Sequence, residues 1–203
     1  MKRCATALGV LLAVATVLVV TAPPGSAQAV PKGQEPVMLA SCGQSPGPVK
    51  VKVFMDRLKM DYVYNATATA ADLVTAKNAG KPFKALIIVT GASLKGMGAA
   101  GVSIEDELQR TTALIAEAKK QGILVVGSHV EGMERRAQGA AQGDNSDEQS
   151  IDAVCPNSQV MIVRKDGDED GRFTTISQAG NIPLLLFEKN LELQDVLKNF
   201  FGK

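Results

Sequence analysis

A-L-I-I-V-T at 85–90, S-I-E-D-E-L-Q-R-T-T-A-L-I-A-E-A-K-K-Q-G at 103–122 and I-L-V-V-G-S at 123–128 follow one another, and their order decides the fold. The two short runs are continuously apolar, as strands covered on both faces must be. Between them Ser103 can cap the free N–H groups of a helix, with Glu105, Asp106 and Glu107 favoured at its positive end. Ile104, Leu108, Thr111, Ile115 and Ala118 recur at 4-3-4-3 as one inward stripe, and Lys119, Lys120 and Gly122 close the helix. Strand, helix, strand in this order predicts parallel pairing.

Outward from this unit the pattern repeats. Further strands are expected at 37–41, 62–64, 159–164 and 183–187, and a last helix at 192–200 buries Leu193, Val196, Leu197 and Phe200. Residues 49–53, V-K-V-K-V, alternate like a half-exposed strand. Val51, Phe54, Met55 and Leu58 nevertheless share a helical face, and Pro48 suits a first turn. Two successive parallel strands also need a crossover, so this segment is predicted helical. The expected architecture is a single α/β domain, three-layered and Rossmann-like or flavodoxin-like, with a mostly parallel sheet of five or six strands. A Gly, Gln and Asp rich stretch at 137–147 is expected to be a mobile surface loop.

The first 29 residues carry a different message. Lys2 and Arg3, an uncharged run at 5–22 and Ala27-Gln28-Ala29 have the layout of a secretory signal peptide cut after Ala29. An uncleaved anchor is the alternative, since 18 uncharged residues lie at the short end of what spans a bilayer. Cys4 precedes the apolar run and cannot serve as a lipoprotein cysteine. The expected location is periplasmic or extracellular, with one domain at 30–203 and no transmembrane segment after cleavage. Without Lys2 and Arg3 the chain has 20 basic and 21 acidic residues, so no basic excess marks a nucleic-acid partner. Aromatic residues make up 4% and Trp is absent, which leaves few stacking platforms for bases or sugars.

In open α/β sheets ligands bind beyond the carboxyl ends of the strands. The loops expected there are 41–48, 91–101, 129–136 and 165–171, all rich in Gly and polar groups. T-G-A-S-L-K-G-M-G at 90–98 resembles the glycine-rich turn of short-chain dehydrogenases, but it is one residue too long and follows the wrong strand. The Tyr-x-x-x-Lys of that family is missing too, so no nicotinamide or other cofactor is expected. What survives is that glycines let backbone N–H groups approach an oxyanion. Ser45, Gly91, Ser93, Lys95, Gly96, His129, Arg135 and Arg136 are therefore the candidate contacts for a small polar or anionic ligand, the arginines supplying guanidinium forks.

Three further patterns carry chemistry. Asp166, Asp168 and Asp170 with Gly171 match the first half of a calcium loop, but Ser177 stands where its bidentate glutamate belongs; the alternative is a charged turn whose Asp170 caps a helix near Arg172. Cys42 and Cys155 lie at opposite ends of their expected strands, a separation of about 17 to 20 Å that forbids a bridge. Cys42 or Ser93 with His129, the only histidine, would make a hydrolase, although no G-x-S-x-G and no orienting carboxamide or carboxylate accompanies them. The chain could also act as an interaction module, docking on a membrane transporter or sensor through the same loops.

From E-P-V-M-L-A-S-C-G-Q-S at 35–45, through 86–101 and G-I-L-V-V-G-S-H-V-E-G-M-E-R-R at 122–136, to N-I-P-L-L-L-F-E-K at 181–189, the chain resembles the bacterial family DUF6305. The resemblance implies a compact extracytoplasmic α/β domain of unknown activity, with no catalytic residues to carry across. It also implies a small residue where Cys42 stands, which weakens cysteine chemistry. The reading that results is an exported, non-catalytic α/β protein that binds a small ligand at the carboxyl rim.

Overall fold

The computed structural model describes residues 29–136 and 146–203. Six strands, β1 (Val37–Cys42), β2 (Tyr62–Tyr64), β3 (Ala85–Thr90), β4 (Leu124–His129), β5 (Val160–Arg164) and β6 (Leu184–Phe187), pair in parallel in the order β2-β1-β3-β4-β5-β6. Every residue of β1 and β3 is buried, Ser41 and Thr90 included, which is why both are dominated by apolar residues. The seven α-helices among the described residues are α1 (Gly47–Arg57), α2 (Ala70–Asn78), α3 (Leu94–Ala100), α4 (Ile104–Gln121), α5 (Ser146–Val154), α6 (Arg172–Gly180) and α7 (Glu192–Phe201).

α1 and α7 cover one face, where Val51, Phe54, Met55, Leu193, Leu197 and Phe200 meet Leu39, Ile87, Val126 and Ile162. On the other, Leu73, Leu114 and Ala118 of α2 and α4 pack on Met38, Leu86, Ile88 and Val125, and α5 and α6 bring Ile151, Phe173 and Ile176 to Met161 and Val163. The three-layer α/β architecture is thus present, and the V-K-V-K-V segment is helix, because Val51 and Met55 face the sheet while Lys50 and Lys52 remain at its edge. α4 starts with a reciprocal cap, Ser103 Oγ accepting from Asp106 N at 3.1 Å and Asp106 Oδ2 from Ser103 N at 2.9 Å.

Three differences matter for the rim. The loop after β3 contains a helix, α3, despite its glycines, because Ser93 Oγ accepts the N–H of Gly96 at 3.1 Å and caps it. The stretch expected to be a mobile loop ends earlier than its composition implied: residues 146 and 147 already belong to α5, and 137–145 lie outside the described residues, as does the leader at 1–28. The buried face of α4 runs through Glu107, Thr111, Leu114, Ile115 and Ala118, so Ile104 and Leu108 sit at its margin and Glu107 is interior. Among the described residues no helix is long and apolar enough to cross a membrane.

Candidate functional site

The strand order reverses between β1 and β3, and the crevice that such a reversal opens is here closed by the chain itself. The loops after the two strands form an antiparallel bridge, Gln44 to Ala92, and Ser93 N donates to Gly43 O at 2.8 Å. A Cβ on Gly96 would lie 2.1 Å from the carbonyl oxygen of Gln44, so only glycine lets α3 rest on that loop. From the α4 side, the fully buried Glu107 accepts Gly43 N at 2.9 Å and Gln44 Nε2 at 2.8 Å. Arg110 grips the same carboxylate, Nε to Oε1 at 2.9 Å and Nη2 to Oε2 at 2.8 Å, and donates to the carbonyls of Ser41 and Ala68. Two paired charges, each bonded several times over, hold the β1 loop in place.

Beyond β4 a second set of bonds locks the rest of the rim. Arg136, 3% exposed at its side chain, donates Nε to Glu148 at 2.6 Å and Nη2 to Asp170 at 2.7 Å, reaches the carbonyl of Gly167, and lies 5.4 Å from the centre of the Phe173 ring. It ties the end of β4 to α5 and to the loop after β5. Arg135 donates to Ala92 O at 3.2 Å and sits 3.5 Å from Glu131. Carboxylates of the chain thus already face both guanidiniums, Glu131 that of Arg135 and Glu148 with Asp170 that of Arg136.

His129 is fully buried against Phe173, with ring centroids 5.2 Å apart. Its Nε2 lies 2.9 Å from the carbonyl oxygen of Gly132 and must carry the proton, while Nδ1 lies 3.2 Å from the Thr90 hydroxyl. Burial holds its pKa below the usual histidine value, so the ring is neutral. Cys42 is no rim thiol either. It is fully buried on the α4 face, and burial pushes its pKa up to about 11, the Thr111 hydroxyl pulling the other way. Strand register places Thr90 beside Cys42 and within bonding reach of His129, so β3 separates the proposed pair by about 10 Å. Ser93 caps α3 instead of meeting His129. The hydrolase constellation is not assembled.

Cys42 and Cys155 are free, as expected, although the reason is lateral as much as axial. Cys155 packs on Gly127, two strands across from β1 and paired through Ile88 with Ala40. Burial raises its thiol as well. The calcium half-loop is also internally used. Asp166 pairs with Arg164, Asp170 with Arg136, and Asp168 accepts Phe173 N at 2.6 Å and Thr174 N at 3.2 Å at the start of α6. Asp170 adds a cap to Arg172 N at 3.1 Å. No group of three metal-ligating side chains converges among the described residues.

What does gather on the α1 face is a small niche. Ser45, 6% exposed, accepts Gly47 N at 3.2 Å, and the Glu131 carboxylate, 3% exposed, accepts the same N–H at 3.2 Å. A Cβ on Gly91, whose φ is +135°, would lie 3.1 Å from Ser45 Oγ and 3.4 Å from Glu131 Oε2. Gly91 N donates to Ser150 Oγ at 3.0 Å, and Ala92 N to Asp147 Oδ1 at 2.5 Å. Burial pushes the Asp147 carboxyl up, with the Ala92 N–H pulling it down. Of the eight predicted contacts, Ser45, Gly91 and Arg135 meet around Glu131. Ser93 and Gly96 serve α3, Lys95 is exposed on it, and His129 and Arg136 lie on the opposite face of the sheet beside Phe173.

A family model described as a domain of unknown function, DUF6305, matches residues 34–201. The chain belongs to this family. Among curated proteins none matches the chain. Two solved structures share part of the outline: the psychrotrophic esterase EstA from Pseudoalteromonas sp., inhibited by monoethylphosphonate, at 10% identity and a TM-score of 0.34, covering 83% of this chain and 97% of the other; and a putative lipolytic protein of the G-D-S-L family from Desulfitobacterium hafniense DCB-2, at 16% identity and a TM-score of 0.32, covering 74% and 75%. For DUF6305 the contribution of this chain is a rim whose charged residues bind one another.

Proposed function

We propose that the protein is an exported, non-catalytic binding domain whose ligand is a small polar molecule carrying hydrogen-bond donors, which displaces Arg135 from over Glu131 and Ser45 on the α1 side of the closed strand reversal. One observation carries the reading: the Glu131 carboxylate is 97% withdrawn from solvent, yet among the described residues one N–H at 3.2 Å and one guanidinium at 3.5 Å face it. A buried carboxylate is stabilised by close donors, and these are long. Arg135 stands over it with a side chain 32% exposed, in the position that an incoming ammonium or guanidinium group would take. The charge around the niche, Glu131 and Asp147 against Arg135, favours a cation or a neutral donor over an anion. The buried Cys42 thiol and the neutral, doubly bonded His129 speak for binding without turnover. The leader-like first 29 residues support export.

Calorimetric titration with ethylenediamine, L-arginine and phosphate tests this. The two amines are expected to release heat and phosphate none; Glu131→Gln abolishes the response, and Arg135→Ala, which removes the internal competitor, tightens it by roughly tenfold. No heat from either amine, or undiminished binding by the Glu131→Gln protein, refutes the assignment.

A further inference from the structure

β6 ends the sheet with the sequence L-L-L-F, and among the described residues its outer edge is unpaired. Met161 N donates to Pro183 O at 2.8 Å, and the parallel register pairs Met161 with Leu184 and Val163 with Leu186. In a parallel ladder this directs the polar groups of Leu185 and Phe187 toward β5 and those of Leu184 and Leu186 outward. Two N–H and two C=O groups therefore face away from the sheet, and among the described residues none has a partner. No charge, proline or bulge within the strand guards them, and Leu186 is 42% exposed. The other edge, β2, has only three residues, flanked by Asp61 and by Lys81 and Lys84.

We infer that this edge is the contact surface for a second copy of the chain, joined antiparallel through β6 into one continuous sheet of twelve strands. The geometry is self-complementary. A two-fold axis at Leu185 sets Leu184 against Leu186 of the second copy, and Leu186 against its Leu184, and each pair exchanges two hydrogen bonds. The same axis lays the two α7 helices side by side and antiparallel on one face.

Charge complementarity along that seam supports the second copy over a foreign peptide. A 370 Å³ groove runs between β6 and α7, lined by Val30, Lys32, Leu185, Val196, Asn199 and Phe200. Glu192 lies one turn before Val196, at the N-terminal end of the stripe, while Lys32, bonded to the carbonyl of Asn199 at 3.0 Å, marks the other end. The Glu192 carboxylate accepts Glu188 N at 2.8 Å and Lys189 N at 3.3 Å just beyond the groove's lining, so the seam is acidic past one end, apolar in the middle and basic at the other. Antiparallel pairing of two such seams brings each Glu192 end to a Lys32 end, and opposes the two helix dipoles favourably. Val196 then covers its own symmetry mate.

Light scattering coupled to size exclusion decides this, on protein expressed from the full sequence and purified as the cell processes it. A dimer is expected across the micromolar range. Leu186→Lys, at a position exposed enough to leave the fold intact, weakens it by roughly tenfold or more. Lys32→Glu weakens it less, with the larger loss at low salt, and Val63→Lys on the β2 edge leaves it unchanged. A monomer throughout, a dimer indifferent to both Leu186→Lys and Lys32→Glu, or a dimer broken by Val63→Lys overturns the inference.

Discussion

The carboxyl rim and the β6 edge differ in a way that their sequences invert. The rim is written in Gly, Ser, Arg, Asp and Glu, and nearly every one of those groups is bonded to another part of the chain. The edge is written in leucines, and it holds the open valences. Polar composition near a sheet terminus therefore reports a need for partners without telling whether the chain supplies them. At the rim it does, except at Glu131, whose donors among the described residues are distant.

If the rim is a lock, breaking it costs stability. Glu107→Ala leaves Arg110 the carbonyls of Ser41 and Ala68 but no counter-charge at Glu107, and takes the acceptor from Gly43 N and Gln44 Nε2, so it is expected to destabilise by about 3–5 kcal/mol in urea unfolding; a loss below 1 kcal/mol would mean that the β1 loop holds without it. Arg136→Ala cuts the tie between α5 and the loop after β5, but Glu148 keeps Arg172 at 3.6 Å and Asp170 is half-exposed and able to hydrate, so a smaller loss of about 2–3 kcal/mol is expected from the same measurement.

Acid sharpens the contrast further. His129 is depressed by burial, so its contribution to stability is fully present above the unfolded value near pH 6.5 and is lost as pH falls through the lower folded value. The slope approaches about 1.4 kcal/mol per pH unit between the two, and His129→Asn should flatten it; an unchanged slope would move the effect to other groups. Smallest of all, iodoacetamide at pH 8 should label neither Cys42 nor Cys155 in the native state, because both thiols are buried and raised. Rapid native labelling of Cys42 would put a thiol back on the rim.

Elements and their order could be read from the residues. Ser103 and Gly122 bracket α4 by their own chemistry, and apolar runs at 85–90 and 124–128 need no context to be strands. Partners could not. Glu107 stands among three consecutive acids that the helix dipole favours alike, and only Leu114, one heptad on, hints that it turns inward. Arg135 and Arg136 are adjacent and identical, yet one reaches Ala92 and the other meets Glu148 and Asp170, 12 and 34 residues downstream, which the order of β3, β4 and β5 brings together. His129 gives no sign by itself of Phe173, which arrives from the far side of β5.

Gly96 has a consequence of its own. The crevice at the strand reversal is shut because one carbon is missing: a methyl group there would lie 2.1 Å from a backbone oxygen that no rotamer can move. Alanine at that position would act as a wedge, prising α3 off the turn after β1 and turning a sealed seam into an open cleft.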